Sequence, residues 1–243
     1  MAIDAALLAA VRLGAPPVLR LYRWAPACLS FGRNQTARGI YAIERVRACG
    51  MDVVRRPTGG FAVLHDHELT YAVIAGVESF GGLRRAYVVI NEMLVAGLRR
   101  LGVGADIVRN GAVPSLPMRS VRAPCFETAA PGEVSAGGRK LVGSAQRREG
   151  ATLLQHGSLL LDGDQGAIRG LLSAPQPESR ASHATLREVL GTAPGWSAVA
   201  DAVADGFRDC GIGLAPATLS RDERASARAL RARFEDDAWT WRR

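Results

Sequence analysis

The chain has little of what membrane-spanning, disulfide-rich and zinc-binding proteins need. Its 243 residues contain no apolar run long enough to cross a bilayer, which predicts a soluble protein with no membrane partner. The four cysteines, Cys28, Cys49, Cys125 and Cys210, are widely spaced and include no C-x-x-C pair. This spacing argues against a disulfide framework and against structural zinc, and it predicts a reducing compartment, the cytoplasm.

Aromatic residues are also scarce, at 6% of the chain, although the net charge is +8. The arginines are scattered and often stand beside acids, as in residues 221–224. No basic stripe with interleaved stacking side chains is visible, which argues against nucleic acid as the partner. The remaining positive charge fits an acidic protein that is found by electrostatic steering.

Lysine is nearly absent, since Lys140 is the one lysine among 31 basic residues. A chain that uses arginine for its other cations treats the two as interchangeable on its surface. A retained lysine then indicates a position that needs a compact ammonium group, which guanidinium cannot replace. The alternative is a surface lysine left by chance. We therefore take Lys140 as the first candidate catalytic residue.

The hydrophobic pattern predicts an α+β fold with a mixed, largely antiparallel sheet flanked by helices. Strands are expected near residues 18–24, 28–31, 52–55, 61–65 and 68–74, and again within 133–161. Helices are expected at 3–13, at 34–48 behind an Asn34 cap, at 84–101, around Val199 to Phe207, and at 221–234. Strands grouped first and helices last predict a catalytic core over residues 1–165 and a helical C-terminal segment over 166–243.

Two glycines interrupt the strands in the block from Arg55 to Asp66, which reads RRPTGGFAVLHD. Glycine lets the backbone approach a ligand closely, and Arg56 adds a fixed charge beside Gly59 and Gly60. The alternative is that the two glycines form a hairpin turn with no binding role. This block is a candidate binding loop.

The second block is residues 137–146, GGRKLVGSAQ, followed by LQHGS at 154–158. Small residues at Gly143 and Ser144 leave room beside Lys140 for an elongated substrate. His156 is either a hydrogen-bonded core residue or part of that site, and core roles are the default for the other histidines too. Cys125 precedes Lys140 by fifteen residues, and a nearby cation would make its thiol a nucleophile for acyl chemistry.

In this order the blocks 55–71, 138–147 and 154–158 resemble the signature blocks of the biotin/lipoate protein ligase superfamily, specifically its lipoate branch. A cysteine placed before the Lys140 block resembles the cysteine-dependent octanoyltransferases of that branch. The resemblance runs over most of the chain and implies the α+β catalytic fold of the superfamily.

The resemblance implies two half-reactions. Cys125 would take an octanoyl group from acyl carrier protein as a thioester, and a lysine of a lipoyl domain, on the glycine cleavage H protein or a 2-oxoacid dehydrogenase E2, would then accept it as an amide. Lys140 would lower the pKa of Cys125 and hold the acyl carbonyl. The binding residues would be Arg56, Gly59, Gly60, Phe61, His65, Gly143, Ser144 and His156. No metal, cofactor or ATP is expected, and a monomer is expected.

The sequence departs from the family pattern at Phe61, where these families often carry glycine or arginine. A bulky side chain here leaves octanoyl or lipoyl cargo open. Two alternatives also remain: an ATP-dependent lipoate–protein ligase, which needs no cysteine, and a non-catalytic protein that binds acyl groups or carrier domains. Cys125 is the residue that separates these possibilities.

Overall fold

A computed structural model describes residues 1–109, 126, 130–174 and 183–242. Cys125 therefore lies outside the described residues. The helices, in chain order, are α1 (Ala2–Arg12), α2 (Ile43–Ala48), α3 (Leu83–Arg100), α4 (Leu186–Leu190), α5 (Trp196–Asp209), α6 (Arg221–Glu235) and α7 (Asp237–Thr240). The strands are β1 (Val18–Tyr22), β2 (Cys28–Phe31), β3 (Asp52–Arg55), β4 (Val63–His65), β5 (Glu68–Gly76), β6 (Ala105–Ile107), β7 (Val134–Ala136), β8 (Arg139–Glu149) and β9 (Thr152–Leu160).

The described strands form two sheets. The larger sheet has six strands in the order β1-β5-β9-β8-β7-β6, and every neighbouring pair is antiparallel. The smaller sheet has the order β3-β2-β4. The predicted α+β class with a largely antiparallel sheet is confirmed. No helix in the described ranges has both the length and the apolar character that a bilayer span requires.

One pair of strands is parallel, in line with the predicted mixed arrangement: β2 and β3 pair in parallel, because α2 lies in the crossover between them and returns the chain in the same direction. One expectation for the first sixty residues is wrong. The helix expected behind Asn34 begins only at Ile43. Before it, the buried Gln35 uses its side chain to bind the Gly32 amide and the Tyr41 hydroxyl, which holds the chain in a turn.

The main core lies between the large sheet and the helices α3 and α5. Met93, Leu94 and Leu98 of α3 are buried there, and so is the α5 stripe of Val199, Val203 and Phe207. Val88 of α3 is 36% exposed. The opposite face of the sheet carries α1, whose Leu7 and Leu8 pack on β5 and β9. The division of the chain at residue 165 stays a prediction.

Arg55, at the end of β3, is fully buried and fastens the C-terminal segment to the loop after β2. Its guanidinium donates to the carbonyl oxygens of Gly32 and Gln35, both at 2.7 Å. It also donates to the carbonyls of Thr240 at 3.0 Å and Arg242 at 2.8 Å. The charge is thus solvated by backbone dipoles from distant parts of the chain.

Candidate functional site

A pocket with about 340 Å³ of empty space opens between the two sheets, on the face of the large sheet that carries α1. Its walls come from β4, β5, β8 and β9. Five predicted binding residues line it: Arg56, His65, Gly143, Ser144 and His156.

Gly59, Gly60 and Phe61 belong to the loop that adjoins this pocket, outside its wall. We call residues 57–61 the glycine loop. Arg56 braces this loop by donating to the carbonyls of Gly59 at 3.1 Å and Phe61 at 2.8 Å. Behind the loop, a Cβ on Gly32 would lie 1.9 Å from the Gly60 carbonyl oxygen, so glycine is required there.

His65 is held in the pocket wall from both ring nitrogens. Its Nδ1 lies 2.7 Å from Oε1 of Glu68, and its Nε2 lies 2.6 Å from Oγ of Ser30. Ser30 Oγ also accepts from Nη1 of Arg56 at 2.6 Å. The carboxylate can only accept, so Nδ1 carries a proton. This chain of contacts links the pocket wall to the brace of the glycine loop.

His156, on β9, is buried and contacts the glycine loop directly. Its Nε2 lies 2.6 Å from Oγ1 of Thr58. On the other side, Nδ1 faces Oδ2 of Asp4 at 3.5 Å. Burial lowers the pKa of His156 below its usual value, although the Asp4 carboxylate acts in the opposite direction. The folded protein therefore holds a neutral imidazole at this position.

This burial predicts a pH-dependent stability. Below about pH 6.5 the unfolded chain protonates His156 while the folded protein does not, so the free energy of unfolding should fall as pH decreases from about 6.5. Above that pH the contribution is complete and constant. We expect urea denaturation between pH 5 and 8 to show a slope that is steeper for wild type than for His156→Gln, by at most about 1.4 kcal/mol per pH unit. Equal slopes would contradict the assignment.

Lys140 is also buried, with a side chain 2% exposed. Its Nζ donates to Oε1 of Glu133 at 2.7 Å and lies 5.2 Å from the centroid of the Phe126 ring. Phe126 in turn contacts the pocket wall, because a Cβ on Gly143 would lie 2.8 Å from this ring. Lys140 is therefore a partnered, desolvated ammonium beside the pocket and not a surface residue.

Glu133 and Asp4 were not among the residues predicted from the sequence, although each has a recognisable sequence signal. Gly137 and Gly138 both have positive φ, 55° and 75°, as a two-residue hairpin turn of the I′ type requires. Such a turn pairs Lys140 with Ser135 and puts Glu133 on the same face, two residues earlier. Asp4 interrupts the apolar stripe of α1, and a carboxylate in that position indicates a buried, partnered charge.

The other cysteines do not compete with Cys125 for a role in this pocket. Burial raises the pKa of the Cys28 thiol well above its usual value, so Cys28 stays protonated. Cys49 and Cys210 are exposed and lie outside the pocket wall. Among the cysteines in the described ranges, none is placed as a nucleophile beside Lys140.

The chain matches a family model described as the lipoyl protein ligase A/B catalytic domain over residues 1–208. It is 40% identical to the octanoyltransferase LipM of Kyrpidia tusciae, covering 100% of this chain and 94% of that protein. It is 38% identical to the octanoyltransferase LipM of Symbiobacterium thermophilum, covering 100% and 93%.

Two solved structures share the fold. One is lipoate-protein ligase A bound with ATP, with a TM-score of 0.81 and 24% identity, covering 99% of this chain and 92% of that one. The other is from the bipartite lipoate protein ligase system of Thermoplasma acidophilum, with a TM-score of 0.77 and 23% identity, covering 99% and 89%.

Proposed function

This chain belongs to the lipoyl protein ligase A/B catalytic-domain family, within its octanoyltransferase branch, and from that premise we propose that it transfers octanoyl groups through a thioester on Cys125. The donor is octanoyl acyl carrier protein, and the acceptor is a lysine of a lipoyl domain, on the H protein or an E2 subunit. Because the nucleophile must remain a free thiol, the reaction belongs in a reducing compartment, the cytoplasm.

The observation that carries this proposal is the contact between Lys140 and Phe126. Phe126 follows Cys125 directly in the sequence, and its ring centroid lies 5.2 Å from Nζ of Lys140. This contact supports our proposal that Lys140 acts on the Cys125 thiol. The pocket wall at Gly143 lies against the same ring, which supports delivery of an acyl chain to that thiol.

In the first half-reaction Cys125 loses its proton and the thiolate attacks the donor thioester; a new S–C bond forms, the donor's own S–C bond breaks, and the carrier's thiol leaves with the proton that Cys125 lost. Lys140 stabilises the thiolate and the oxyanion. In the second, the neutral amine of the acceptor lysine attacks the enzyme thioester, an amide forms, and Cys125 regains its proton. Conversion of a thioester to an amide is downhill, so no ATP is consumed.

Intact-protein mass spectrometry tests this assignment. Mixing the enzyme with octanoyl acyl carrier protein should add one octanoyl group to Cys125, and adding a lipoyl domain should remove it. Modification of the lipoyl domain from free acid only when MgATP is present would support the ligase instead. If neither the enzyme nor the lipoyl domain is modified, the protein binds acyl groups or carrier domains without turnover.

A basic patch beside the glycine loop fits the acidic surface expected of the donor carrier protein. We call Arg33, Arg147 and Arg233 the loop patch. Nη1 of Arg147 donates to the Pro57 carbonyl at 3.3 Å. Burial lowers the pKa of Arg147, Glu149 raises it, and repulsion from Arg33 and Arg233 lowers it further. Within the described residues, Arg33 and Arg233 form no salt bridge.

We expect the double variant Arg33→Gln/Arg233→Gln to lose about tenfold in kcat/KM for octanoyl acyl carrier protein at low salt, since such charges act on encounter. Its kcat should change little, and its salt dependence should be weaker than that of the wild type. The matched control is Arg84→Gln, an exposed residue of α3 on the opposite face of the large sheet. An equal loss with octanoyl pantetheine, which has no protein surface, would rule out docking.

A further inference from the structure

The glycine loop is held over the pocket by a hydrogen bond from its own threonine. Thr58 is 1% exposed, and its Oγ1 lies 2.6 Å from Nε2 of His156. Neighbouring contacts hold other atoms of the loop, but this one joins the loop to β9, the strand that forms the pocket floor. The Arg33 amide holds the Thr58 carbonyl at 2.7 Å, whereas the hydrogen bond of the Thr58 side chain depends on whether Nε2 of His156 donates or accepts.

Asp4, a fully buried residue of α1, determines whether Nε2 of His156 donates or accepts a hydrogen bond. Oδ1 of Asp4 accepts from Nη1 of Arg20 at 2.6 Å, and Oδ2 accepts from the Tyr22 hydroxyl at 3.0 Å. Oδ2 also faces Nδ1 of His156 at 3.5 Å. A carboxylate cannot donate, so the imidazole must carry its proton on Nδ1. Nε2 is then the acceptor, and the Thr58 hydroxyl is the donor.

We infer that Asp4 is a positioning residue for the glycine loop, acting through the tautomer of His156 and the hydroxyl of Thr58. A residue that binds one ring nitrogen of a histidine fixes its tautomer, and the tautomer determines whether the other ring nitrogen donates or accepts a hydrogen bond. Here the controlled atom is the anchor of a binding loop. Asp4 lies on a helix that contributes no group to the Lys140 side of the pocket, so its removal affects acyl binding more than chemistry.

Burial keeps the imidazole of His156 neutral, although the charges around it act in both directions. Burial lowers the pKa of His156, the Asp4 carboxylate raises it, and the positive charges of Arg56 and the Met1 amino group lower it. Asp4 stays ionised: burial alone would raise its pKa, but the hydrogen bond from His156 and the charge of Arg20 lower it below the usual range. The relay should therefore hold from neutral pH down to the pH at which His156 protonates.

Asp4→Asn is the informative change, because it preserves the shape of the side chain and replaces one acceptor oxygen by a donor NH₂ group. With the amide oxygen turned to Arg20, the NH₂ group faces Nδ1 of His156 and forces the proton to Nε2. Two-dimensional ¹⁵N NMR of the histidine rings should show His156 protonated at Nδ1 in wild type and at Nε2 in Asp4→Asn. This readout needs no turnover, so it is independent of the proposed octanoyl transfer on which the functional consequence rests.

The functional consequence is tested with Thr58→Val, which removes the hydroxyl at nearly constant shape, and with Thr58→Ser, which restores it. We expect KM for octanoyl acyl carrier protein to rise about tenfold in Asp4→Asn and in Thr58→Val, with little change in kcat, and to stay near wild type in Thr58→Ser. Amide hydrogen exchange of residues 58–61 should accelerate in the same two variants whether or not the protein transfers octanoyl groups.

The double variant Asp4→Asn/Thr58→Val should be no worse than the more affected single variant, because both changes break one relay. Additive effects on KM and on amide exchange would overturn the inference. So would an unchanged His156 tautomer in Asp4→Asn, or a Thr58→Val loop that exchanges at the wild-type rate. Thr58→Val leaves α1 and its contacts intact, so an unstable Asp4→Asn protein would not prevent the test.

Discussion

Replacement of Cys125 by serine or alanine is expected to abolish octanoyl transfer, with a loss of more than about a thousandfold. Serine keeps nearly the same size, but its hydroxyl does not ionise beside Lys140 as a thiol does, and alanine has no nucleophile. The measurement is octanoylation of a lipoyl domain, with the octanoyl adduct on the enzyme followed by mass. Thermal unfolding should be unchanged, which separates loss of chemistry from loss of fold.

The chain supplies matched controls for this change. Cys49→Ser and Cys210→Ser alter exposed thiols outside the pocket and should leave transfer unchanged. Cys28 is a poorer control because it is fully buried in the core around β2 and β3. Near-normal transfer by Cys125→Ala would remove the thioester mechanism. It would bring forward the ATP-dependent ligase, for which octanoate and MgATP replace the acyl carrier donor.

The substitution Lys140→Arg is expected to lower the transfer rate by about 10² to 10³, although arginine is the cation that this chain uses elsewhere. The ammonium of Lys140 is almost fully buried between Glu133 and Phe126, where a wider planar guanidinium does not fit. Removing one well-placed oxyanion donor has a cost of that order. The measurement is the single-turnover rate of acylation from octanoyl acyl carrier protein.

The rate of iodoacetamide alkylation of Cys125 against pH separates charge from geometry. If positive charge alone matters, Lys140→Arg should keep both a low thiol pKa and most of the activity, and Lys140→Met should lose both. We expect Lys140→Arg to lose activity even where thiolate is present. Full activity of Lys140→Arg would refute the role of the ammonium as an aimed donor.

Local sequence patterns were enough to place most helices and strands, but not the pairing of distant segments. The α5 stripe of Val199, Val203 and Phe207 was predicted from its spacing, because a period of four residues leaves one buried face. The parallel pairing of β2 and β3 was not, since it depends on how the crossover packs. The predicted helix behind Asn34 was wrong because the side chain of Gln35 binds Gly32 and Tyr41, which are local contacts that a capping pattern does not describe.

In the candidate site, too, the motif residues were predictable from the sequence and their distant partners were not. Five residues that the family resemblance named line one pocket: Arg56, His65, Gly143, Ser144 and His156. The side chains that control them come from elsewhere in the chain: Asp4 acts on His156 across 152 positions. Such partners form hydrogen bonds with buried polar atoms. The need for them is not visible in the sequence, because it depends on which segments pack together in the fold. Glu133 was closer and was accessible through the hairpin turn at Gly137.

The buried guanidinium of Arg55 also constrains when the protein can fold during its synthesis. Two of its carbonyl partners, at Thr240 and Arg242, are made some 185 residues later than Arg55 itself. Until the ribosome has released that segment, the arginine at the end of β3 lacks these dipoles, and a buried charge without them is unstable. The glycine loop begins two residues further on, so we infer that the nascent chain acquires its binding pocket late, after nearly all of the described sequence has emerged.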